Sequence, residues 1–235
     1  MSSQDLDVNE LAASLQLTPA QVSKMADRGK LPGRRIAGQW RFSQAEVHAW
    51  LEQRIGASTS EELVRFQSVV DRWSDRSSGE GELAQLLHSE AIEIPLAART
   101  SRAVVRRMCE LAERTGLLWD AVRMAESVHA REQLHTTALD IGVALLHPRR
   151  PQTSILSEPL LALGVSSQPL PFGNEGGHLT DVFFLICSTD DRQHLQVLAK
   201  LSRLLQATGF LSELRKCGAA VDAYRLVADF EATLE

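Results

Sequence analysis

Residues 181–187, Asp-Val-Phe-Phe-Leu-Ile-Cys, are apolar at every position after the leading aspartate. A strand sends successive side chains to opposite faces, so a continuous apolar run demands cover on both sides of its sheet. Helical segments that could supply that cover surround it. Residues 100–116, TSRAVVRRMCELAERTG, place Val104, Val105, Met108, Leu111 and Ala112 on one face, and a following helix carries Val122, Ala125 and Val128. Residues 191–209, DRQHLQVLAKLSRLLQATG, carry the stripe Leu195, Leu198, Leu201 and Leu205 at helical spacing. Further strand-like runs occur at EAIEIPLAA (90–98), at TTALDIGVALLHPRRP (136–151) and around LLALGV (160–165). Strands alternating with helices predict an α/β sandwich with a mixed central sheet over residues 81–235.

The first 57 residues read differently. DVNELAASLQL offers Val8, Leu11, Ala12 and Leu15 as an amphipathic helix. TPAQVSKMADRG then opens with Thr18 at an N-cap and Pro19 behind it, and closes on Gly29. Two short helices with a tight connection predict a helix-turn-helix, whose second helix presents Gln21, Ser23, Lys24 and Arg28 outward. LPGRRIAGQWRF reads as a hairpin turning at Ala37-Gly38, a wing exposing Arg34, Arg35, Gln39 and Arg41, and Ser43 caps a third helix with Val47, Trp50 and Leu51 turned inward. The net charge of the chain is −5, yet six cations fall between Lys24 and Arg41 with Asp27 alone opposing them, a local patch suited to a polyanion. Residues 58–80 predict a helical linker. Leu63, Phe66, Val70 and Trp73 form a short seam there for a coiled-coil homodimer or for docking on the downstream domain, and SDRSSGEGE follows as a flexible connection.

Several classes drop out. No run approaches the roughly 20 apolar residues of a membrane span. The start MSSQDLDVNE is acidic rather than signal-like, and the three scattered cysteines suit buried thiols in a reducing compartment, so the expectation is a cytoplasmic protein without membrane insertion. None of the seven histidines forms an HxH or HxxxH pair, so neither a metal site nor a cofactor is expected. His147 differs from the other histidines in position: it ends an apolar run beside Arg149 and Arg150, where α/β proteins place functional groups. A neutral imidazole near cations can accept a phosphoryl group on nitrogen and pass it on.

The pattern VNELAASL…TPAQVSKMADRGKLPGRRIAGQWRFSQAEVHAWL resembles the excisionase-type, MerR-like winged helix-turn-helix family. That resemblance implies DNA as partner, with Gln21, Ser23, Lys24 and Arg28 near base edges or phosphates and Arg34, Arg35 and Arg41 on phosphates. Residues 81–235 resemble the enzyme IIA domain of the fructose, mannitol and nitrogen-regulatory type of the bacterial phosphotransferase system. The match is carried by AREQLHTTALDIGVALLHPR, DVFFLICSTDDRQHLQVLAKLSRLL and ATGFLSELRKC. It implies that His147 takes the phosphoryl group from a phosphocarrier protein, that His194 lies beside it as hydrogen-bonding partner, and that Arg131 neutralises the phosphoryl oxygens. Thr137 and Gly142 fall at the family's positions in the approach to His147. The sequence departs from the family in Leu146, where a proline is usual, in His135, usually a small residue, and in Ala138 and Asp140, usually glycines; Asp140 is expected to bring a repelling charge toward the phosphoryl group. Together the resemblances imply a DNA-binding regulator controlled by phosphorylation. The alternatives are a IIA component relaying phosphate to a IIB partner, and a binding-only regulator with an inactive IIA site.

Overall fold

A computed structural model describes residues 5–15, 17–43, 46–47, 50, 82–134, 136–173 and 178–234. The chain divides into two compact units, Met1–Ser77 and Ser78–Glu235. The seam Leu63, Phe66, Val70 and Trp73, the linker around it, and His135 lie outside the described residues.

In the first unit α1 (Val8–Leu15) and α2 (Pro19–Asp27) form the expected pair of helices. Each starts with a reciprocal cap. Asp7 Oδ1 accepts from the Glu10 amide at 2.9 Å while Glu10 returns a carboxylate to the Asp7 amide at 2.8 Å. Thr18 Oγ1 accepts from the Gln21 amide at 3.2 Å, and the Gln21 side-chain oxygen accepts from the Thr18 amide at 2.8 Å. The wing forms as β2 (Arg34–Ile36) against β3 (Gln39–Ser43), with Ala37 at φ 48° and Gly38 at φ 80° in a two-residue turn. Positive φ at both positions gives the turn the twist of its strands. A short strand absent from the sequence reading, β1 (Asp5–Leu6), adds to the other edge of β3. Leu11, Val22, Ala26, Leu31, Phe42 and Val47 form the buried core of the unit, and the Trp50 indole N–H donates to the Lys30 carbonyl at 2.8 Å.

The second unit contains a five-stranded sheet of β4 (Leu87–Glu93), β5 (Ala138–Leu139), β6 (Val143–Leu146), β7 (Leu160–Phe172) and β8 (His178–Cys187), in the order β4-β7-β8-β6-β5. It is mixed: β4 runs parallel to β7 and β6 to β8, while β7–β8 and β5–β6 are antiparallel. Phe183, Leu185 and Cys187 join a buried cluster with α4 (Ser101–Arg114) and α5 (Ala121–Glu132). The alternate residues Val182, Phe184 and Ile186 are equally buried and so need the opposite layer, formed by α6 (Asp191–Gln206), α7 (Phe210–Leu214) and α8 (Ala220–Leu234). This is the two-sided cover that the apolar run requires. The α8 residue Glu231 closes the layer by accepting from the Leu83 and Ala84 amides at 2.6 and 2.9 Å, at the start of α3 (Leu83–Leu86).

Two expectations are corrected. The strand read at 90–98 lies at Leu87–Glu93 and stops ahead of Pro95, which has no amide hydrogen for a ladder. Val122 is 71% exposed because the inward stripe of α5 runs Ala121, Met124, Ala125, Val128, Glu132, which puts Val122 off the buried face. Among the described residues no helix is long and apolar enough to cross a membrane.

Candidate functional site

Because β6 and β8 are parallel, with Leu146 opposite Leu185, their C-terminal ends lie side by side. His147 follows β6 directly. After β8 the chain turns through Ser188, Thr189 and Asp190, and Asp190 Oδ1 caps α6 by accepting from the Gln193 amide at 2.9 Å. His194, in the first turn of that helix, therefore meets His147: the ring centroids are 4.8 Å apart at an interplanar angle of 52°. Both side chains are buried, at 3% and 7% exposure. Two histidines far apart in sequence thus meet at the carboxyl ends of parallel strands, the end at which open α/β sheets bind ligands.

Neighbouring groups fix the ring edges. His147 Nδ1 lies 2.8 Å from the Leu145 carbonyl oxygen. A carbonyl can only accept, so Nδ1 carries the proton and the neutral ring keeps its nucleophilic lone pair on Nε2. Ser188 Oγ lies 3.4 Å from His194 Nδ1. A hydroxyl donating there leaves Nδ1 as acceptor and places the His194 proton on Nε2.

Glu132, which the sequence reading passed over, organises the other side. Its buried carboxylate accepts from the Thr136 hydroxyl at 2.7 Å and from the Thr137 amide and hydroxyl at 3.0 and 2.6 Å. The Thr137 carbonyl in turn accepts from the Leu145 amide at 3.1 Å, one peptide away from the carbonyl that holds His147. Thr137 is therefore a buried spacer between Glu132 and the His147 strand. Arg131 stands half-buried in the last turn of α5, beside Glu132. The signal for Glu132 was its place on the apolar stripe of α5 at four-residue spacing from Val128, a position where a carboxylate needs partners.

Asp140 is not in the approach to His147. It occupies the exposed turn between β5 and β6, at the end of β6 remote from His147, roughly 13 Å of strand away at about 3.3 Å per residue. Gly142 in the same turn has φ 80°, and a Cβ there would lie 2.8 Å from Arg215 Nη2. Arg215 donates to both Asp181 oxygens at 2.8 Å and to the Ile141 carbonyl at 2.9 Å. Gly142 thus belongs to a latch at the far end of the sheet. Burial pushes the Cys187 thiol, at the end of β8, up to about 12.

In the first unit Gln21, Lys24 and Arg28 line a groove of about 580 Å3 on the outer side of α2, with Leu17, Met25 and Lys30. Gln21 gives its side-chain oxygen to the cap, which leaves its amide nitrogen for the groove. Ser23 and Arg41 are half-buried. Arg34 and Arg35 of the wing are exposed but paired. Arg34 bonds Asp5 at 2.7 Å, and Arg35 bonds Asp27 at 2.9 Å while lying over the Trp40 ring at 5.0 Å. Trp40 Nε1 also donates to Asp27 at 3.1 Å, so one carboxylate at the end of α2 fixes the wing against it. No group of three His, Cys, Asp or Glu among the described residues could hold a metal ion.

Residues 85–229 match the family of the phosphoenolpyruvate-dependent sugar phosphotransferase system, EIIA 2, and residues 6–55 match a helix-turn-helix domain family. The chain is similar to the nitrogen regulatory protein of Bradyrhizobium diazoefficiens, at 28% identity over 62% of this chain and 94% of the relative. It is also similar to the nitrogen regulatory protein of Pseudomonas aeruginosa, at 24% identity over 63% and 96%. Among solved structures, IIA-Ntr from Neisseria meningitidis superposes with a TM-score of 0.54 at 20% identity, covering 61% of this chain and 97% of that one. Mannitol IIA from Escherichia coli, solved in complex with phosphorylated IIB, superposes with a TM-score of 0.54 at 18% identity, covering 61% and 99%.

Proposed function

We propose, for a chain that belongs to the EIIA 2 family of the phosphoenolpyruvate-dependent sugar phosphotransferase system and carries a helix-turn-helix domain before that match, a DNA-binding regulator that accepts a phosphoryl group on His147 from a phosphocarrier protein. The observation that carries this reading is the buried pair His147 and His194, with His147 Nδ1 held by the Leu145 carbonyl. His147 Nε2 attacks the phosphorus of the carrier's phosphohistidine, a new P–Nε2 bond forms, and the bond to the carrier's nitrogen breaks with its electron pair returning to that ring. Positive charge gained by the His147 ring is stabilised through the Nδ1–H bond to the Leu145 carbonyl. The Nε2–H of His194 and the cation of Arg131 offset charge spread over the equatorial oxygens, and the N-terminal end of α6 favours the anion further.

In the helix-turn-helix unit, Lys24, Arg28 and the Gln21 nitrogen face the major groove with Ser23, while Arg41 holds phosphate. Arg34 and Arg35 set the position of the wing through Asp5 and Asp27, and reach phosphate by exchanging those partners. A phosphoryl group on His147 adds negative charge and changes what the IIA domain binds, and through that the regulator's occupancy of DNA.

The test is incubation with phosphoenolpyruvate, enzyme I and the phosphocarrier. An acid-labile phosphate that His147→Ala abolishes supports the proposal, and absence of label under conditions that phosphorylate an ordinary IIA domain overturns it. The E. coli mannitol IIA complex with phosphorylated IIB favours one second reading, a relay to a IIB partner. Onward transfer of the label to such a partner, with no DNA footprint by the chain, would select it.

A further inference from the structure

The phosphoryl site leaves unused a second cavity, of about 420 Å3, between the solvent sides of α4 and α5. Arg102, Ala103 and Arg106 line it from α4, and Val122, Ala125 and His129 from α5. Its size suits a small ligand, and Ala103, Val122 and Ala125 give its wall an apolar part, with Val122 open to solvent. The lining holds two arginines, Arg102 and Arg106, against one carboxylate, Glu126, a positive excess. Arg102 is exposed and has no ion pair among the described residues; Arg106 reaches Glu110 at 3.5 Å. His129 Nε2 is shut from solvent and has no hydrogen-bond partner among the described residues, although buried polar atoms are as a rule partnered.

We propose that this groove binds a small organic anion, a carboxylate or phosphate on a short apolar body, with its charge between Arg102 and His129 and its body against Val122 and Ala125. The anion answers the cationic excess of the lining, and it lies beside the His129 ring, whose Nε2 the folded chain leaves without a partner among the described residues. Burial and the charge of Arg102 hold His129 below the usual histidine range, with Glu132 pulling weakly the other way; Arg106 and Glu126 are the remaining charges that line the groove. An anion beside Arg102 offsets its repulsion, so binding is coupled to proton uptake at His129. The same end of α5 carries Arg131 and Glu132, which places the ligand against the helical turn that anchors the His147 strand.

The experiment follows the His129 ring resonance of the full chain labelled with 13C-histidine, identified by its loss in His129→Gln, during titration with butyrate or with inorganic phosphate. The expected result is a saturable shift at millimolar concentration, a rise in the pH at which His129 titrates, and loss of both in Arg102→Gln. A response to butyrate alone identifies a carboxylate with an apolar body, and a response to phosphate alone identifies a phosphoryl anion. Persistence of the response in His147→Ala places it outside the phosphoryl site, and its disappearance there would overturn the proposal. So would the absence of a saturable shift with either probe up to about 20 mM, or an Arg102→Gln response equal to that of the unchanged protein.

Discussion

Glu132 and Ser188 touch no phosphoryl group in the proposed reaction, yet each holds something that does. The Glu132 carboxylate accepts three bonds from Thr136 and Thr137 in a buried setting. Glu132→Gln turns one acceptor into a donor facing donors, so urea denaturation should show a loss of about 1–3 kcal/mol. Ser188 sits 3.4 Å from His194 Nδ1. Ser188→Ala should leave the melting temperature nearly unchanged while moving the His194 proton between ring nitrogens, visible in 15N chemical shifts. Phosphoryl uptake should slow about tenfold, the equivalent of about 1.4 kcal/mol, and Ser188→Thr should restore both. A His194 spectrum and uptake rate unaltered in the alanine variant would remove Ser188 from the site. His147 and His194 were legible in the sequence because strand ends and family motifs mark them. Glu132 and Ser188 were not, because their roles depend on which backbone groups the folded chain brings within reach.

Among the elements, the apolar run of β8 and the helical stripes were legible because burial on two faces leaves no polar position to break the pattern. Phe184 is fully buried on the layer facing away from α4 and α5, so Phe184→Ala should destabilise the second unit by about 3–5 kcal/mol in chemical denaturation. What the pattern did not give were the pairings. β1, two residues long, has no period of its own and exists through Leu6 opposite Phe42. The displacement of β4 reflects Pro95, and the outward turn of Val122 reflects where α5 begins. Ala37 offers a test in the wing: a non-glycine residue at φ 48° is strained, and asparagine tolerates that conformation better. Ala37→Asn should raise the stability of the first unit by about 0.5–1 kcal/mol, and a decrease would contradict the turn.

Across the whole molecule, the chain divides between Ser77 and Ser78, within the stretch 58–80 that the sequence reading took as a linker. The three thiols report on the second unit. Burial raises Cys109 and Cys187, the latter to about 12, whereas Cys217 is only partly buried and is raised less, by burial and by Asp222 and Glu213. A thiol reagent at pH 8 should therefore modify Cys217 first and reach the other two only on unfolding. Since the folded state holds the Cys187 proton more tightly than the unfolded chain does, its contribution to stability is fully present below the ordinary value of 9.0 and is lost as pH rises toward about 12. In the first unit, Lys24→Ala and Arg28→Ala each remove one cation from the surface proposed to meet DNA, and each should lower the salt dependence of DNA binding by about 0.9 in log–log slope.

The central claim, that His147 is a phosphoryl acceptor poised by the Leu145 carbonyl, is tested most directly by locating the phosphorus. The protein, phosphorylated through its carrier with 15N-labelled histidine, should show one phosphohistidine whose 31P–15N coupling assigns the bond to Nε2 of His147. Phosphorus on Nδ1 of His147, or on another residue with His147 unmodified, would contradict the account.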